Sequence, residues 1–196
     1  MQKLRFEVLT DAALDAALDG VAALRIEIFR SWPYLYDGDV DYERRYLETY
    51  RTSRGVILVG AFDGDRLVGA ATGTPMADHA AEFAAPLEGW GPELDEIFYC
   101  AESLILPEYR GQGAGHRFFD FREEHARKLG FGYSVFCGVV RPADHPLRPA
   151  DARDLAPFWR ARGYAPLEGR VARFAWKDLD SDTETEKPLQ LWGRRL

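Results

Sequence analysis

The chain has 196 residues, 46% hydrophobic and 29% charged, so it is long enough for one well-cored domain and short for two. We therefore expect a single domain over residues 1–196. The formal net charge of -7 argues against general nucleic-acid or anionic-membrane binding, because those surfaces attract positive charge. The N-terminus has no continuous apolar run, and no window approaches the roughly 20 apolar residues of a membrane span, which predicts a cytoplasmic protein.

The first part of the chain predicts one strand, two helices and a hairpin. Alternating residues indicate the strand, and apolar residues at every third or fourth position indicate the helices. Asp63-Gly64-Asp65 is typical of a tight hairpin turn. The predicted bounds are 4–10 for the strand, Thr10 or Asp11 to Ser31 and 41–51 for the helices, and 56–62 and 66–76 for the hairpin strands.

The second part predicts a loop at residues 77–96 and then one continuous strand, IFYCAESLIL, at residues 97–106. A glycine-rich segment follows, and then a helix closed by Gly130. The remaining predictions are strands at 133–140, 170–176 and 188–192, a short helix at 155–162, an irregular loop at 141–151 and an acidic loop at 178–187.

The two cysteines, Cys100 and Cys137, are too few for a disulfide framework and lack the spacing of metal ligands. Each lies in an apolar run, where an isolated cysteine usually packs as a small hydrophobic side chain. We interpret both as reduced core residues and expect no metal site.

The segment RGQGAG, Arg110 to Gly115, places three glycines between a strand and a helix. Such a loop presents unpaired backbone N–H groups at a helix N-terminus, which favours a phosphate. A P-loop would need Lys followed by Ser or Thr, and the chain has His116 and Arg117 instead. A dinucleotide fingerprint would need a different glycine spacing and an acidic residue about 20 positions on. A plain tight turn remains the alternative.

The strand, Pro107-Glu108-Tyr109, the glycine loop and the helix together resemble the acyl-CoA-binding motif of the GNAT superfamily of N-acetyltransferases. Arg110, Gly113 and Gly115 match its fixed positions, and the order of elements over residues 4–176 is similar as well. The resemblance implies an α/β (α+β) fold with a mixed, mostly antiparallel sheet of about six to seven strands, flanked by helices and splayed between its two central strands. It implies transfer of an acetyl or other acyl group from coenzyme A to a primary amine of a small molecule or peptide, by direct attack in a ternary complex.

The resemblance also assigns the acyl-CoA site. Backbone N–H groups of the glycine loop would hold the pyrophosphate, and the pantetheine arm would pair with the strand before it. Arg110 would add positive charge or fix the loop. The residues implied to bind acetyl-CoA or another acyl-CoA are Leu104, Ile105, Leu106, Arg110, Gly111, Gln112, Gly113, Ala114, Gly115 and His116.

Acyl transfer to a lysine-like amine needs a base, because such an amine is neutral only about once in 10³ at pH 7. The family often carries a catalytic glutamate in this strand, which makes Glu102 the candidate; the alternative is a structural glutamate paired with an arginine. His145 and Glu96 are secondary candidates. Trp159 replaces the family's usual general-acid tyrosine, and an indole cannot deliver a proton as a phenol can. Tyr164 is interpreted as a core residue.

The family usually binds its acceptor near the loop between the first two helices. Trp32 and Tyr34 stand there beside Asp37, a combination that would suit an ammonium group or would form an aromatic plug with solvated acids. The family often forms homodimers, and PLQLW (residues 188–192) would be an interface or an edge strand. Because of Trp159, the second hypothesis is an acyl-CoA-binding sensory or structural module with little catalysis.

Overall fold

Helices and strands follow one another in the predicted order. The structure, a computed structural model, describes residues 3–79 and 81–196, without the side chains of residues 49 and 52. The strands are β1 (Arg5–Val8), β2 (Ile57–Asp63), β3 (Arg66–Pro75), β4 (Ile97–Tyr99), β5 (Ser103–Ile105), β6 (Tyr133–Val139), β7 (Ala165–Lys177) and β8 (Glu184–Arg195). The helices are α1 (Asp11–Phe29), α2 (Val40–Thr52), α3 (Ala81–Ala84), α4 (Ala114–Lys128) and α5 (Ala156–Ala161), and short 3₁₀ turns lie at Met76–Asp78, Ala85–Leu87, Leu94–Glu96 and Pro107–Tyr109.

The strands form one sheet in the order β1-β2-β3-β4-β6-β8-β7, with β5 paired to β3 beside β4. Among the described strands, β4 and β6 are parallel and the other neighbours are antiparallel. The predicted mixed, mostly antiparallel sheet is confirmed. Over the described residues it has eight strands, because the long strand predicted before the glycine loop is divided in two.

Helices and loops cover both faces of this sheet. α1 and α2 cover one face of β2, β3 and β5, and the segments 76–79 and 81–96 cover the same face of β4, β6 and β8. The hydrophobic cluster under α1 and α2 and the cluster over β4, β6 and β8 meet at Tyr34, which packs against both. α4 and α5 cover the opposite face, where Phe98, Phe118 and Phe136 pack together. Burial of each such large apolar side chain contributes about 1.5–3 kcal/mol.

The prediction of one continuous strand at residues 97–106 is wrong, because a β-bulge separates β4 from β5. Ala101 and Glu102 both lie opposite Thr72 of β3. The Ala101 N–H donates to Thr72 O (3.0 Å), and the Thr72 N–H donates to Glu102 O (3.1 Å). The extra residue shifts the pairing of β5 with β3 by one position relative to that of β4 and changes the direction of the Glu102 side chain.

β5 and β6 separate at this bulge. β4 pairs with β6 up to Tyr99, and the Cys100 N–H still donates to Val135 O (2.8 Å). Beyond that point β5 pairs with β3, while β6 pairs with β8. Among the described strands, the edge of β5 that faces β6 therefore has no strand partner. The splay expected from the family resemblance is confirmed.

Arg122 of α4 supports the bulge from the opposite face of the sheet. Its buried guanidinium donates from Nη1 to Glu102 O (2.7 Å) and Thr72 O (3.2 Å), and from Nη2 to Ser103 Oγ (2.8 Å). Its Nε–H donates to Phe118 O of its own helix (3.2 Å). Arg122 thereby donates hydrogen bonds to the carbonyl oxygens of Thr72 and Glu102, where the pairing of β3 with its neighbours is irregular. Buried backbone groups need hydrogen bonds at such a point as elsewhere in the sheet.

The C-terminal strands are longer than predicted. β7 and β8 meet in a hairpin whose loop covers residues 178–183 instead of the predicted 178–187. β8 lies between β6 and β7, so PLQLW belongs to an interior strand and not to an edge strand. Both edges of this segment are occupied by neighbouring strands and are therefore not available for pairing with a second copy of the chain.

Replacing Arg122 by methionine should destabilise the fold, because the carbonyl oxygens of Thr72 and Glu102 would each lose a buried hydrogen bond from the guanidinium. We expect the free energy of unfolding in urea to fall by about 2–3 kcal/mol. Lys128→Met, on the exposed side of the same helix, should unfold at nearly the same urea concentration as the unaltered protein. An equal loss of stability in the two variants would contradict a specific role of Arg122 at the bulge.

Candidate functional site

The glycine loop turns sharply into α4. Gly111 (φ 77°) and Gly113 (φ 82°) adopt the left-handed conformation, which other residues take only with strain. A Cβ atom added at either position would lie more than 4 Å from the other described residues that were not its chain neighbours, so the space in front of the loop is open. Glycine is required here for the backbone conformation and for close approach of a ligand.

The first turn of α4 offers backbone N–H groups to that space. The first bond within the helix runs from the Arg117 N–H to Gly113 O (3.2 Å), so the N–H groups of residues 113–116 have no partner inside the described helix. Together with the partial positive charge of the helix N-terminus, they form a site for an anion such as a pyrophosphate. Gln112 and His116 are exposed beside it.

The open edge of β5 continues this site into the splay. The Leu106 N–H donates to Val68 O (3.0 Å), and backbone groups alternate in direction along an antiparallel strand. Leu104 consequently also faces β3, whereas Ser103 and Ile105 present their N–H and C=O groups to the open edge. Of the three strand residues predicted to pair with the pantetheine arm, Ile105 alone directs its backbone into the splay.

Arg110 lies between the loop and the open edge of β5. Its side chain is exposed, and its Nε–H donates to Ile105 O (3.4 Å). The residue thereby ties the glycine loop to β5 and places a positive charge beside the splay. This position is compatible with both roles considered for Arg110.

Glu102 directs its carboxylate into a buried polar cluster beneath α1 and α2. Tyr46 donates to Oε1 (2.6 Å) and Tyr50 to Oε2 (3.4 Å), and the Thr72 hydroxyl and the Arg25 guanidinium donate as well. Burial would raise the pKa of Glu102, but Arg25, Thr72 and Tyr46 outweigh it and hold the pKa below its usual value of 4.5. Glu102 is therefore an ionised carboxylate at neutral pH.

Arg25 of α1 is the buried cation that stabilises this charge. Its Nη1 binds Glu102 and its Nε binds Glu43 of α2, which is fully buried. The guanidinium also lies over the ring of Tyr46, 4.2 Å from its centroid. We refer to Arg25, Glu43 and Glu102 as the buried charge cluster. Neither Arg25 nor Glu43 is among the residues predicted from the sequence, where the available signal was an arginine on the apolar face of the first helix.

Tyr99, the last residue of β4, stands where the splay begins. Its hydroxyl lies 2.8 Å from Cys137 Sγ of β6. Burial, and then the Cys137 thiol, raise the pKa of Tyr99 well above its usual value, and burial raises the pKa of Cys137 to about 12. A neutral phenol and a neutral thiol therefore face each other beside the splay.

Trp159 and Tyr164 pack on the other face of β6. The Trp159 indole lies against Gly138, where an added Cβ would stand 2.9 Å from the ring, and contacts Phe136 at 5.0 Å between ring centroids. Tyr164 is buried, and its hydroxyl lies 2.7 Å from Ser134 Oγ. Tyr164 is a core residue, as predicted.

The aromatic residues predicted to bind the acceptor lie on the loop between α1 and α2. Tyr34 stacks on Phe29 with ring centroids 4.2 Å apart and lies 5.9 Å from the ring of Trp176. Trp32 contacts the ring of His145 (5.4 Å between centroids), so the long loop after β6 reaches the same place. The Arg25 guanidinium lies over the Phe29 ring (5.0 Å to its centroid), so the stacked rings of Phe29 and Tyr34 lie beside the buried charge cluster.

Asp37, the predicted carboxylate of this loop, already has two cationic partners. Its carboxylate pairs with Lys177 (2.8 Å) and with Arg30 (3.5 Å). The hydrogen bond from Lys177, followed by the charge of Lys177, lowers the pKa of Asp37. The carboxylate of Asp37, which was expected to attract an ammonium group, is therefore already paired with Lys177 and Arg30 of the same chain.

Arg141, two residues after the end of β6, fixes the same loop. It donates from Nε to Pro33 O (2.9 Å) and from Nη2 to Tyr34 O (2.6 Å), and it binds both oxygens of Asp178 at 2.8–2.9 Å. Lys187 of β8 also pairs with Asp178 (3.3 Å). The loop is thereby held against the β7–β8 hairpin.

The secondary candidate Glu96 has a structural contact. Its Oε2 accepts a hydrogen bond from the Glu93 N–H (2.9 Å) and so caps the 3₁₀ turn Leu94–Glu96.

In the part of the chain that the structure describes, no group of three or more His, Cys, Asp or Glu side chains is arranged to hold a metal ion. Within residues 3–79 and 81–196, none of the helices combines the length and the apolar character needed to cross a membrane.

Solved structures of acetyltransferases share this fold at low sequence identity. Ribosomal-protein-alanine N-acetyltransferase from Brucella melitensis is 13% identical, with a TM-score of 0.64 over 98% of this chain and 99% of its own. The protein yncA from Salmonella typhimurium, solved with its cofactor acetyl-CoA, is 11% identical, with a TM-score of 0.62 over 100% and 95%. An N-acetyltransferase from Staphylococcus aureus Mu50 is 11% identical, with a TM-score of 0.61 over 99% of both chains.

No curated protein sequence gives a significant match to the chain. Residues 21–150, more than half of the chain, match the model of the Acetyltransferase (GNAT) family. This match includes the bulge, the splay and the glycine loop. The chain therefore belongs to the GNAT family of acetyltransferases, enzymes that transfer an acyl group from coenzyme A.

Proposed function

We propose that the protein transfers an acetyl or other acyl group from coenzyme A to a primary amine, by direct attack in a ternary complex. One observation carries the proposal: the bulge places the open edge of β5, directed at the splay, next to the ionised carboxylate of Glu102. A thioester held along that edge would lie close to a buried acceptor of protons. The acceptor would be a small molecule or a peptide.

We assign acyl-CoA binding to the glycine loop and β5. The N–H groups of residues 113–116 would hold the pyrophosphate, and Ser103 and Ile105 would pair with the pantetheine arm. Either of these two strand N–H groups could also donate to the oxyanion that forms when the amine attacks the thioester carbonyl. Arg110 would contribute its charge and hold the loop to the strand.

We propose that Glu102 accepts the proton of the attacking amine. The nitrogen becomes much more acidic as its bond to the carbonyl carbon forms, so a carboxylate with a low pKa can accept the proton at that stage. The low pKa keeps Glu102 ionised at neutral pH and therefore ready for each turnover. The carboxylate also favours an acceptor that carries a positive charge.

We propose that Tyr99 supplies the proton that the departing thiolate takes up. Trp159 cannot deliver a proton and packs on the opposite face of β6. Tyr99 is a phenol at the start of the splay, and its hydroxyl lies 2.8 Å from a sulfur atom of the chain itself, Cys137 Sγ. The high pKa of Cys137 indicates that a bare thiolate is unfavourable in this place.

The aromatic rings of Trp32 and Tyr34 would contact the acceptor. Aromatic faces attract an ammonium group, and Tyr34 packs in the hydrophobic cluster on the side of the sheet to which Glu102 points. Asp37 would not contact the acceptor itself but would position the loop, because its ion pairs with Lys177 and Arg30 hold the loop in place.

The proposal is tested by incubating the protein with acetyl-CoA and a panel of primary amines and measuring the release of free thiol. We expect thiol release that depends on both the enzyme and an amine, with the acyl group recovered as an amide. Tight binding of acetyl-CoA without thiol release across a broad panel would instead support an acyl-CoA-binding module with little catalysis.

Gly113→Val should weaken acyl-CoA binding without unfolding the protein, because the valine side chain would project into the anion site and strain a left-handed residue. We expect the dissociation constant, measured by calorimetry, to rise at least about tenfold, equivalent to about 1.4 kcal/mol. Gly130→Val is the matched control, since Gly130 is also left-handed (φ 89°) and open, at the other end of α4. Equal affinities in the two variants would count against the loop as the binding site.

Glu102→Gln should lower kcat by about 10² or more, because the amide cannot accept the proton. Acyl-CoA affinity should be nearly unchanged, and the pH profile should keep its shape near neutrality, because Glu102 is ionised throughout that range. Glu43→Gln removes the same charge from the other side of Arg25 and should retain most of the activity. Equal losses in both variants would mean that the cluster's charge limits the rate and would refute the assignment to Glu102.

A further inference from the structure

The loop between α1 and α2, residues 30–39, crosses the face of the sheet that these helices cover, and we refer to it as the strap. It starts at the end of α1, which packs over β2, β3 and β5. Its last part is bonded to the end of β7, the strand at the far edge of the sheet. The Asp37 N–H donates to Lys177 O (2.9 Å), and the Leu179 N–H donates to Leu35 O (2.9 Å). The strap therefore spans from one half of the sheet to the other.

The strap passes over the open end of the splay. β6 and β7 run in the same direction, because both are antiparallel to β8, so their C-terminal ends lie at the same end of the sheet. β5 separates from β6 toward that end. Arg141, just beyond β6, donates to Pro33 O (2.9 Å) and to Tyr34 O (2.6 Å). The strap is thus bonded to the end of β6 as well as to β7.

Tyr34 places its side chain over the splay from the middle of the strap. Its carbonyl oxygen also accepts a hydrogen bond from the Trp176 indole (3.0 Å), and its ring stacks on Phe29 of α1. Burial raises the pKa of the Tyr34 phenol, and the Cys137 thiol and then the Glu102 carboxylate raise it further. The hydroxyl therefore lies close both to β6 and to the bulge, and a fixed ring covers the space beside Glu102.

The loop that follows β6, residues 140–155, contacts the strap at a further place. The ring of His145 lies 5.4 Å from that of Trp32, between centroids. Arg141 of the same loop binds both oxygens of Asp178 at 2.8–2.9 Å and so joins the strap to the β7–β8 hairpin. The strap is consequently held at β7, at the end of β6 and at the loop beyond it.

We propose that the strap restricts the acceptor to a compact small-molecule amine and excludes amines carried by a polypeptide, an inference that rests on the proposed function. Neighbouring extended backbones stand about 4.8 Å apart, so a peptide lying between the strap and β7 would need about 10 Å between them. The two are instead in direct hydrogen-bond contact at 2.9 Å. A small amine needs only the space between Tyr34, Glu102 and the start of β5.

The experiment compares kcat/KM, with acetyl-CoA as donor, within two matched pairs of acceptors. The first pair is glycinamide and a pentapeptide amide that starts with glycine. The second pair is butylamine and an N-acetylated pentapeptide amide whose only amine is one lysine side chain. In each pair that the enzyme acylates, kcat/KM for the small amine should exceed that for the peptide by about 10² or more, because the peptide chain would collide with the strap.

Arg141→Gln should relax this selectivity, because the strap would lose its bonds to the end of β6. We expect kcat/KM for the peptide, relative to the small amine, to rise by about tenfold. His145→Ala removes the contact with Trp32 and should act in the same direction, which provides a second test if Arg141→Gln folds poorly. Arg148→Gln is the matched control, because Arg148 bonds Ala143 O (2.9 Å) within its own loop. The control should keep the ratio of the unaltered enzyme.

Equal use of small amines and peptides by the unaltered enzyme, or a preference for peptides, would overturn the inference. Discrimination against peptides that neither Arg141→Gln nor His145→Ala relaxes would also overturn it, because the strap would then not be its cause. If the unaltered enzyme acylates no member of either pair or of the wider amine panel, the proposed function itself fails. Acylation of both classes at similar rates leaves the proposed function intact and removes the role of the strap alone.

Discussion

The bulge at Ala101 and Glu102 is the constraint on which the site depends. One additional residue opposite Thr72 ends the pairing of β4 and turns β5 toward β3. As a result β5 separates from β6, and the backbone of Ser103 and Ile105 is directed to the gap. The same change of register points Glu102 into the protein. Arg122 adds a second hydrogen bond to each of the two carbonyl oxygens at the bulge, so α4 supports the bulge and also carries the glycine loop at its N-terminus.

The buried charge cluster shows why Glu102 is ionised in a place that water scarcely reaches. A carboxylate moved alone into such a site would become protonated, since the desolvation of a charge costs several kcal/mol. Arg25 and three hydroxyl groups offset that cost. Two carboxylates share Arg25, however, and this surplus of negative charge lies beside the stacked rings of Phe29 and Tyr34. A cationic acceptor would complete the electrostatic balance.

Local features were predictable from the sequence, and features that depend on distant contacts were not. The periodicity of apolar residues gave α1, α2 and the β2–β3 hairpin, and the glycine pattern with its flanks gave the loop. The bulge was missed because alternation in IFYCAESLIL does not reveal the insertion of one residue into a pairing. Arg25 was missed because its partner Glu102 is 77 positions away. Asp37 looked free in the sequence because Lys177 joins it only through the fold.

Residue-resolved amide hydrogen exchange, with and without coenzyme A, tests most directly whether the open edge of β5 and the start of α4 hold the cofactor. We expect slower exchange on binding for the amides of Ser103 or Ile105 and of residues 113–116, which have no strand or helix partner in the described chain. The amide of Leu106, already bonded to Val68 O, should exchange at an unchanged rate. Unchanged exchange at β5 and at residues 113–116, with protection elsewhere, would contradict it.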